Sequence, residues 1–227
     1  NTRQNMANQA EQPAMFDDIM AAQLTFFDKH KKTIISAVIA ALVIVAAVST
    51  WQWWKNSQQL AASEAMFQAQ EYFASGDYEK ALNGDATGAA GFLSVADEYS
   101  SSKAGNMARL YAGVCYAKME KWQEAIDCLE DFSAEDDMMV SPAALGALGN
   151  AYANTDQNDK AVSLLEKAAS KADNNTLSPL YLIQAGEIYE AMNNKEAALK
   201  CYQTIKSKYQ RSPQWQEIDK YIERASK

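Results

Sequence analysis

The sequence predicts an all-α protein: a single N-terminal transmembrane helix, then a solenoid of stacked helical hairpins, then a C-terminal capping helix. Three observations carry that expectation. Residues 33–54 are 22 consecutive positions without a charged side chain. Further along, a pattern of small and aromatic residues returns at steps of 36 and 37 positions. With 4 Pro and 9 Gly in 227 residues and abundant Ala, Gln, Glu and Lys, the composition favours helix throughout.

As a helix, Thr33 to Trp54 is roughly 33 Å long, close to the ~30 Å hydrocarbon thickness of a bilayer. Its nine Ile, Leu and Val residues favour insertion by about 3 to 5 kcal/mol, and the polar Ser36, Ser49 and Gln52 stand near its ends. Lys29, Lys31 and Lys32 precede the span and only Lys55 follows it closely, so the excess of positive charge holds the N-terminus in the cytoplasm. Trp51, Trp53 and Trp54 then mark the outer boundary, and Phe26 and Phe27 the inner one. The expected organisation is a cytoplasmic tail over 1–32, a membrane helix over 33–54 and an exported domain over 55–227. A cleavable leader ending near Ala47-Val48-Ser49 would be unusually long.

Residues 1–13 are polar and rich in Asn and Gln, which predicts an irregular tail. Between Ala14 and Phe27, apolar residues recur at Phe16, Ile19, Leu24 and Phe27, the pattern of a short amphipathic helix on the inner leaflet. From Thr33 to Ser75 there is neither Gly nor Pro, so one helix is expected to leave the membrane and continue to about Ser75. Asn56-Ser57 is its weakest point, at a cost of only a few tenths of a kcal/mol.

The internal repeat aligns Gly113, Tyr116, Ala125 and Leu129 with Gly149, Tyr152, Ala161 and Leu165, and with Gly186, Tyr189, Ala198 and Tyr202. A looser copy precedes them at Ala69, Tyr72, Gly76, Tyr78 and Ala81. The spacing has a mechanical meaning. The small residue lets two helices of a hairpin approach, the Tyr fills the next turn of that face, and the Ala of the second helix meets the small position. One hairpin cannot bury its apolar face alone, but stacked copies can, and they wind into a right-handed solenoid. Over residues 60–206 the pattern resembles the tetratricopeptide repeat family. The Gly-rich stretch 83–91 interrupts the first copy as a surface loop, and Phe92 to Tyr99 resumes the helical pattern. At the far end Ser212-Pro213 is a helix start, and Trp215, Ile218, Ile222 and Ala225 recur at the spacing of a helix that caps the open end.

Several chemistries are excluded. A formal net charge of −8 without a Lys/Arg cluster in the exported part argues against nucleic acid. Cys115, Cys128 and Cys201 are odd in number and widely spaced, which suits small core residues rather than a disulfide framework or zinc site. The only histidine, His30, lies before the span, so the exported domain has no imidazole for acid–base or metal chemistry. No Gly-Lys-Ser/Thr follows the Gly-rich stretch, and Glu135-Asp136-Asp137 lacks the spacing of a calcium loop and is expected to be solvated. No enzyme, cofactor or metal is expected; binding remains.

The resemblance implies a concave groove lined by the first helix of each hairpin. Counted from the small residues it holds Met66, Gln70 and Phe73, then Leu110, Val114 and Lys118, then Asn150 and Asn154, then Ile183, Glu187 and Glu190. Family members that clamp a C-terminal carboxylate use Lys, Arg and Asn; Asn150 and Asn154 fit, while Leu180 and Gln184 stand where the next cations would. The layout of basic stop, single span with tryptophans and acidic repeat domain resembles the YfgM-like ancillary subunits of the bacterial Sec translocon. The chain has in addition a longer segment before the span and the insertion at 83–91. That resemblance implies an inner-membrane protein with its repeat domain in the periplasm, contacting the lipid bilayer, translocon subunits and exported proteins or chaperones. A structural adaptor in another envelope machine is the alternative.

Overall fold

The computed structural model describes the backbone from Thr2 to Lys227 and the side chains of Met20, Ala21 and residues 29–227. The described chain is helical and contains no strand. Its elements are α1 (Thr2–Ser75), α2 (Tyr78–Asn83), α3 (Phe92–Glu98), α4 (Lys103–Lys118), α5 (Trp122–Glu130), α6 (Val140–Ala153), α7 (Asn158–Ala172), α8 (Ser178–Ala191) and α9 (Lys195–Lys208). A 3-10 turn, Pro213–Gln216, then leads into α10 (Ile218–Ser226).

α1 is unbroken through Asn56-Ser57, in keeping with the absence of Gly and Pro from Thr33 to Ser75. It differs from the sequence reading at its start. Residues 2–13, expected to be irregular, and 14–27, expected as a separate short helix, both belong to it. Ala, Gln, Met and Glu are good helix formers, and Pro13 removes one N–H without ending the run. The side chains of Phe16, Ile19, Leu24 and Phe27, on which the inner-leaflet face rests, lie outside the described residues, as do those of Phe26 and the whole of Asn1. Within α1 lies the one described stretch long and apolar enough to cross a membrane. The side chains of residues 35–57 are exposed, among them Trp51, Trp53 and Trp54, as are Lys31 and Lys32, and the Lys55 ammonium sits 4.9 Å from the Trp51 ring centre.

The chain divides into two compact units, residues 1–56 and 57–227. The second is an array of hairpins. Ala62, Met66 and Ala69 of α1 share a core with Leu82, Phe92 and Val95 of α2 and α3 and with Ala108 and Ala112 of α4. Three further hairpins follow, α4/α5, α6/α7 and α8/α9, each packed against its neighbours in sequence, and α10 lies on α9. Two more core clusters continue the first, so apolar side chains are buried along the length of the stack.

The helices of a hairpin close on the aligned glycines. A Cβ on Gly113 would overlap the Leu129 side chain, and one on Gly186 the ring of Tyr202; one on Gly149 would meet Leu165 Cγ at 3.0 Å and the Ala161 carbonyl oxygen at 3.1 Å. The expected Gly-to-Ala contact is therefore present through the Ala161 backbone, but the side chain that occupies each gap is the large residue four positions later. A second shared device ends the first helix of every hairpin. Gly76, Glu120, Asp156 and Asn193 are all left-handed, with φ of 83°, 60°, 58° and 59°. The following N–H donates back to the repeat's tyrosine carbonyl: Asp77 to Tyr72, Lys121 to Tyr116 and Gln157 to Tyr152 at 2.9 Å, and Asn194 to Tyr189 at 2.8 Å. This six-residue closure satisfies carbonyls that the helix end would leave unpaired.

Urea unfolding of the full chain in detergent tests these contacts in two ways. Gly186→Ala should cost about 1 to 3 kcal/mol by overpacking Tyr202, whereas Lys118→Ala, at an exposed position, should cost under about 0.5 kcal/mol; equal midpoints would contradict the packing. An added Cβ at Gly76 meets nothing within 4 Å, so Gly76→Ala should cost about 1 kcal/mol through left-handed strain alone. Glu120→Gly, which removes the same strain, should cause no loss.

Candidate functional site

The first helices α1, α4, α6 and α8 carry the expected groove residues, and the structure sorts them into three groups. Gln70, Lys118, Asn154 and Glu187 are exposed, and Val114, Asn150 and Ile183 are half-buried, so these seven are available to a ligand. Met66 and Leu110 are only 4% and 9% exposed and form floor rather than wall. Two are taken up inside the fold. The Phe73 ring stands edge-on to Tyr111 at 5.3 Å and Tyr78 at 5.7 Å, and 6.4 Å from Phe92, because the loop after α2 returns α3 over it. Glu190 accepts from the Arg224 guanidinium at 2.6 Å, a pairing that only the approach of α10 creates.

Three hollows accompany these residues. One of about 230 Å³ lies between α1 and α4 and is walled by Met66, Gln70 and Met107. A second, about 190 Å³, shares Met107 and is closed by Phe132 and Val140. The third, about 230 Å³, is bounded by Ile183 of α8, Pro213, Gln214 and Glu217 around the 3-10 turn, and Tyr221 of α10. Met107 was legible as a site residue from its spacing, one turn before Leu110 on the same face. Gln214 and Tyr221 belong to the cap, and nothing local in the sequence brings them beside Ile183. A flexible, polarisable methionine at the first hollow suits apolar side chains of varied shape.

The rim of the array is held by a feature that the repeat pattern alone did not reveal. Ser102, Ser141, Ser178 and Ser212 are buried at the starts of α4, α6, α8 and the 3-10 turn, three of them followed by Pro. Ser178 Oγ donates to the Ala169 carbonyl at 2.7 Å and accepts from Asn174 N–H at 3.1 Å; Ser141 Oγ accepts from Glu135 N–H at 2.8 Å and donates to the Asp137 carboxylate. The thrice-repeated Ser-Pro was the signal that could have located these starts. Successive loops are then tied at a 36-residue step. Asn174 Nδ2 donates to the Met138 carbonyl, Tyr209 OH to Asp173 and Arg211 N–H to Asn175, at 3.1, 3.2 and 3.3 Å. Asp137 corrects the expectation of a merely solvated acidic run: its carboxylate accepts from the N–H groups of Met139, Val140 and Ser141 and caps α6.

The Gly-rich loop is likewise built rather than loose. Asp85 accepts from the Thr87 hydroxyl at 2.6 Å, from the Tyr72 hydroxyl, and from Ala89 and Thr87 N–H at 3.2 and 2.8 Å, and these donors hold its carboxyl well below the usual range. Burial pushes the thiols up, Cys115 and Cys201 to about 12 and Cys128 to about 11, which leaves them protonated and unreactive at neutral pH. Among the described residues no group of three His, Cys, Asp or Glu is placed to hold a metal ion.

Comparison with known proteins agrees with this architecture. Residues 25–218 match the family model described as a tetratricopeptide repeat-like domain. Two crystal structures of a Podosopora anserina protein described as a putative kinesin light chain with nearly identical TPR-like repeats, one of them a single-substitution variant, superpose with a TM-score of 0.56. Each is 15% identical and the match covers 72% of this chain and 84% of the other, a similarity of fold alone. A search of curated proteins returned no significant match.

Ser178→Ala should cost about 1 to 3 kcal/mol, since it leaves the half-buried Asn174 N–H without its acceptor and takes one of two donors from the Ala169 carbonyl, while Ser170→Ala on the exposed side should cost under about 0.5 kcal/mol. Asp85 is held below its unfolded value, so its contribution to stability is complete above about pH 4 and is lost as pH falls further. Asp85→Asn should therefore lower the melting temperature at pH 7 and flatten its decline between about pH 4 and 2.

Proposed function

We propose that this chain, which belongs to the tetratricopeptide repeat-like domain family, is a membrane-anchored scaffold that binds proteins along the groove of its repeat domain and acts beside the bacterial Sec translocon. A tetratricopeptide repeat-like domain is a protein-interaction fold, and the partners implied are proteins. The observation that carries the reading is the apolar stretch of α1 joined in one chain to a hairpin array whose exposed groove residues are uncharged or mixed. In this reading residues 1–32 are cytoplasmic, 33–54 cross the inner membrane and 55–227 lie in the periplasm, with Lys31, Lys32 and the three tryptophans as anchors. The domain carries no catalytic constellation in this account: its work is to hold translocon subunits, emerging proteins or periplasmic chaperones. An adaptor in another envelope secretion or assembly machine is the second reading, favoured by the Gly-rich loop and long N-terminal segment that depart from the YfgM-like layout.

Photo-crosslinking from Gln70, Val114 and Asn150 in bacterial cells, followed by identification of the adducts, tests the assignment. Translocon channel subunits or exported chains are expected; outer-membrane or secretion components alone would favour the adaptor. Orientation is tested separately. A cysteine near the C-terminus should react with an impermeant thiol reagent in spheroplasts and one near Gln4 should not; the reverse pattern would overturn the topology.

A further inference from the structure

Asn83-Gly84 joins the last residue of α2 to the Gly-rich loop and is the one Asn-Gly step in the sequence. The step is chemically labile, because a glycine amide nitrogen, unshielded by a Cβ, has open access to the side-chain carbonyl carbon of the asparagine before it. Attack forms the N–Cγ bond and breaks Cγ–Nδ2, and the side-chain nitrogen leaves as ammonia with the proton from the Gly84 amide. Water then opens the five-membered imide at either carbonyl. The product is aspartate, or isoaspartate with the main chain routed through Cγ, and no oxidant or reductant takes part. Asn83 is exposed, so water reaches it. The packing imposes the labile pair: Gly84 has φ of 79°, and a Cβ there would overlap the Ala89 carbonyl oxygen.

In the folded chain both reacting groups are engaged. Gly84 N–H donates to the Lys80 carbonyl at 2.8 Å and Asn83 Nδ2 to the Glu79 carbonyl at 3.1 Å, which holds Asn83 helical and turns the attacking nitrogen toward α2. α2 has only 6 residues, too few to keep these bonds closed by itself. The residue after the glycine supplies the missing support: the Asp85 carboxylate accepts from the Tyr72 hydroxyl of α1 and from Thr87 and Ala89 N–H. We propose that Asn83 is a site of spontaneous deamidation and that the bond between Tyr72 and Asp85 is the latch that restrains it. Conversion places a new carboxylate two positions from Asp85 and, in the isoaspartyl form, lengthens the main chain where Gly84 already lies against Ala89. Modification thereby unlatches the loop irreversibly.

The test follows residue 83 in the full chain in detergent at mildly alkaline pH, by mass spectrometry of digests and by labelling with an isoaspartyl methyltransferase. In urea Asn83 should gain one dalton and accept the label, at a rate at least tenfold above that of the folded chain. Tyr72→Phe keeps the ring and removes the hydroxyl donor, and should speed the reaction of the folded chain about fivefold; Asp85→Ala should speed it at least as much. Asn154 ends α6 with the same bond, Nδ2 to the Asn150 carbonyl at 2.8 Å, but precedes a threonine, and should stay intact over the same period. An unmodified Asn83 in urea overturns the site, and equal rates in the folded and unfolded chains overturn the restraint. Unchanged rates in both Tyr72→Phe and Asp85→Ala overturn the latch.

Discussion

The close approach of paired helices at Gly113, Gly149 and Gly186 is the constraint from which the rest of the repeat domain follows. A side chain there would collide with Leu129, Leu165 or Tyr202, so the hairpin closes only because the first helix offers no side chain at that turn and the second offers a large one. Once closed, each hairpin has an apolar flank that water must not reach, and the next hairpin supplies the cover. The left-handed turn after each tyrosine makes the closure geometrically possible: it reverses the chain within a few residues and pairs the carbonyls released at the helix end. That three of four such residues are not glycine indicates that packing across the hairpin outweighs local strain of roughly 1 kcal/mol each.

Between hairpins a different set of interactions operates. Ties spaced by 36 residues join successive loops along one rim, and buried serines anchor the loops to the helix starts that follow them. Tyrosine hydroxyls add a second link: Tyr152 donates to Glu130 and Tyr189 to Glu166, each on the second helix of the preceding hairpin. Every such contact is to the adjacent repeat, which makes stability a sum of local terms and leaves the two ends as the exposed points. At the C-terminal end the cap answers this with Ile218 and Ala225 buried and with Arg224 drawn onto Glu190. It thereby shapes the hollow beside Ile183.

The repeat domain has the fold of a protein-interaction module, whose surface is its working part. The thiols of Cys115 and Cys201 are buried, that of Cys128 half-buried, and all are protonated, and the carboxylates with strongly perturbed surroundings, Asp85 and Asp137, hold loops and helix ends. What the domain presents is a row of half-open positions on its first helices, with apolar Met66 and Met107 at one end and Ile183 and Tyr221 at the other. Such a surface binds by shape and charge, with little reorganisation of its own backbone.

By itself the sequence determined the features that depend on neighbours a few residues apart or on a strict period. The charge-free stretch 33–54 and the run without Gly or Pro to Ser75 sufficed for one continuous helix, and the spacing from Gly113 to Leu129, repeated twice, sufficed for the hairpins. The accessible positions of the first helices were legible from the repeat period, as at Gln70, Val114, Asn150 and Glu187. Only the tertiary structure decided the remainder. Phe73 packs into an aromatic cluster because α3 folds back over it, Glu190 is neutralised because α10 brings Arg224, Asp137 caps a helix rather than facing solvent, and Gln214 and Tyr221 join Ile183 across 30 or more positions. The physical reason is common to all of these. A helical period states which side of a helix a residue occupies, but whether that side meets water or another element is settled by non-local packing, which the spacing of residues along the chain does not encode.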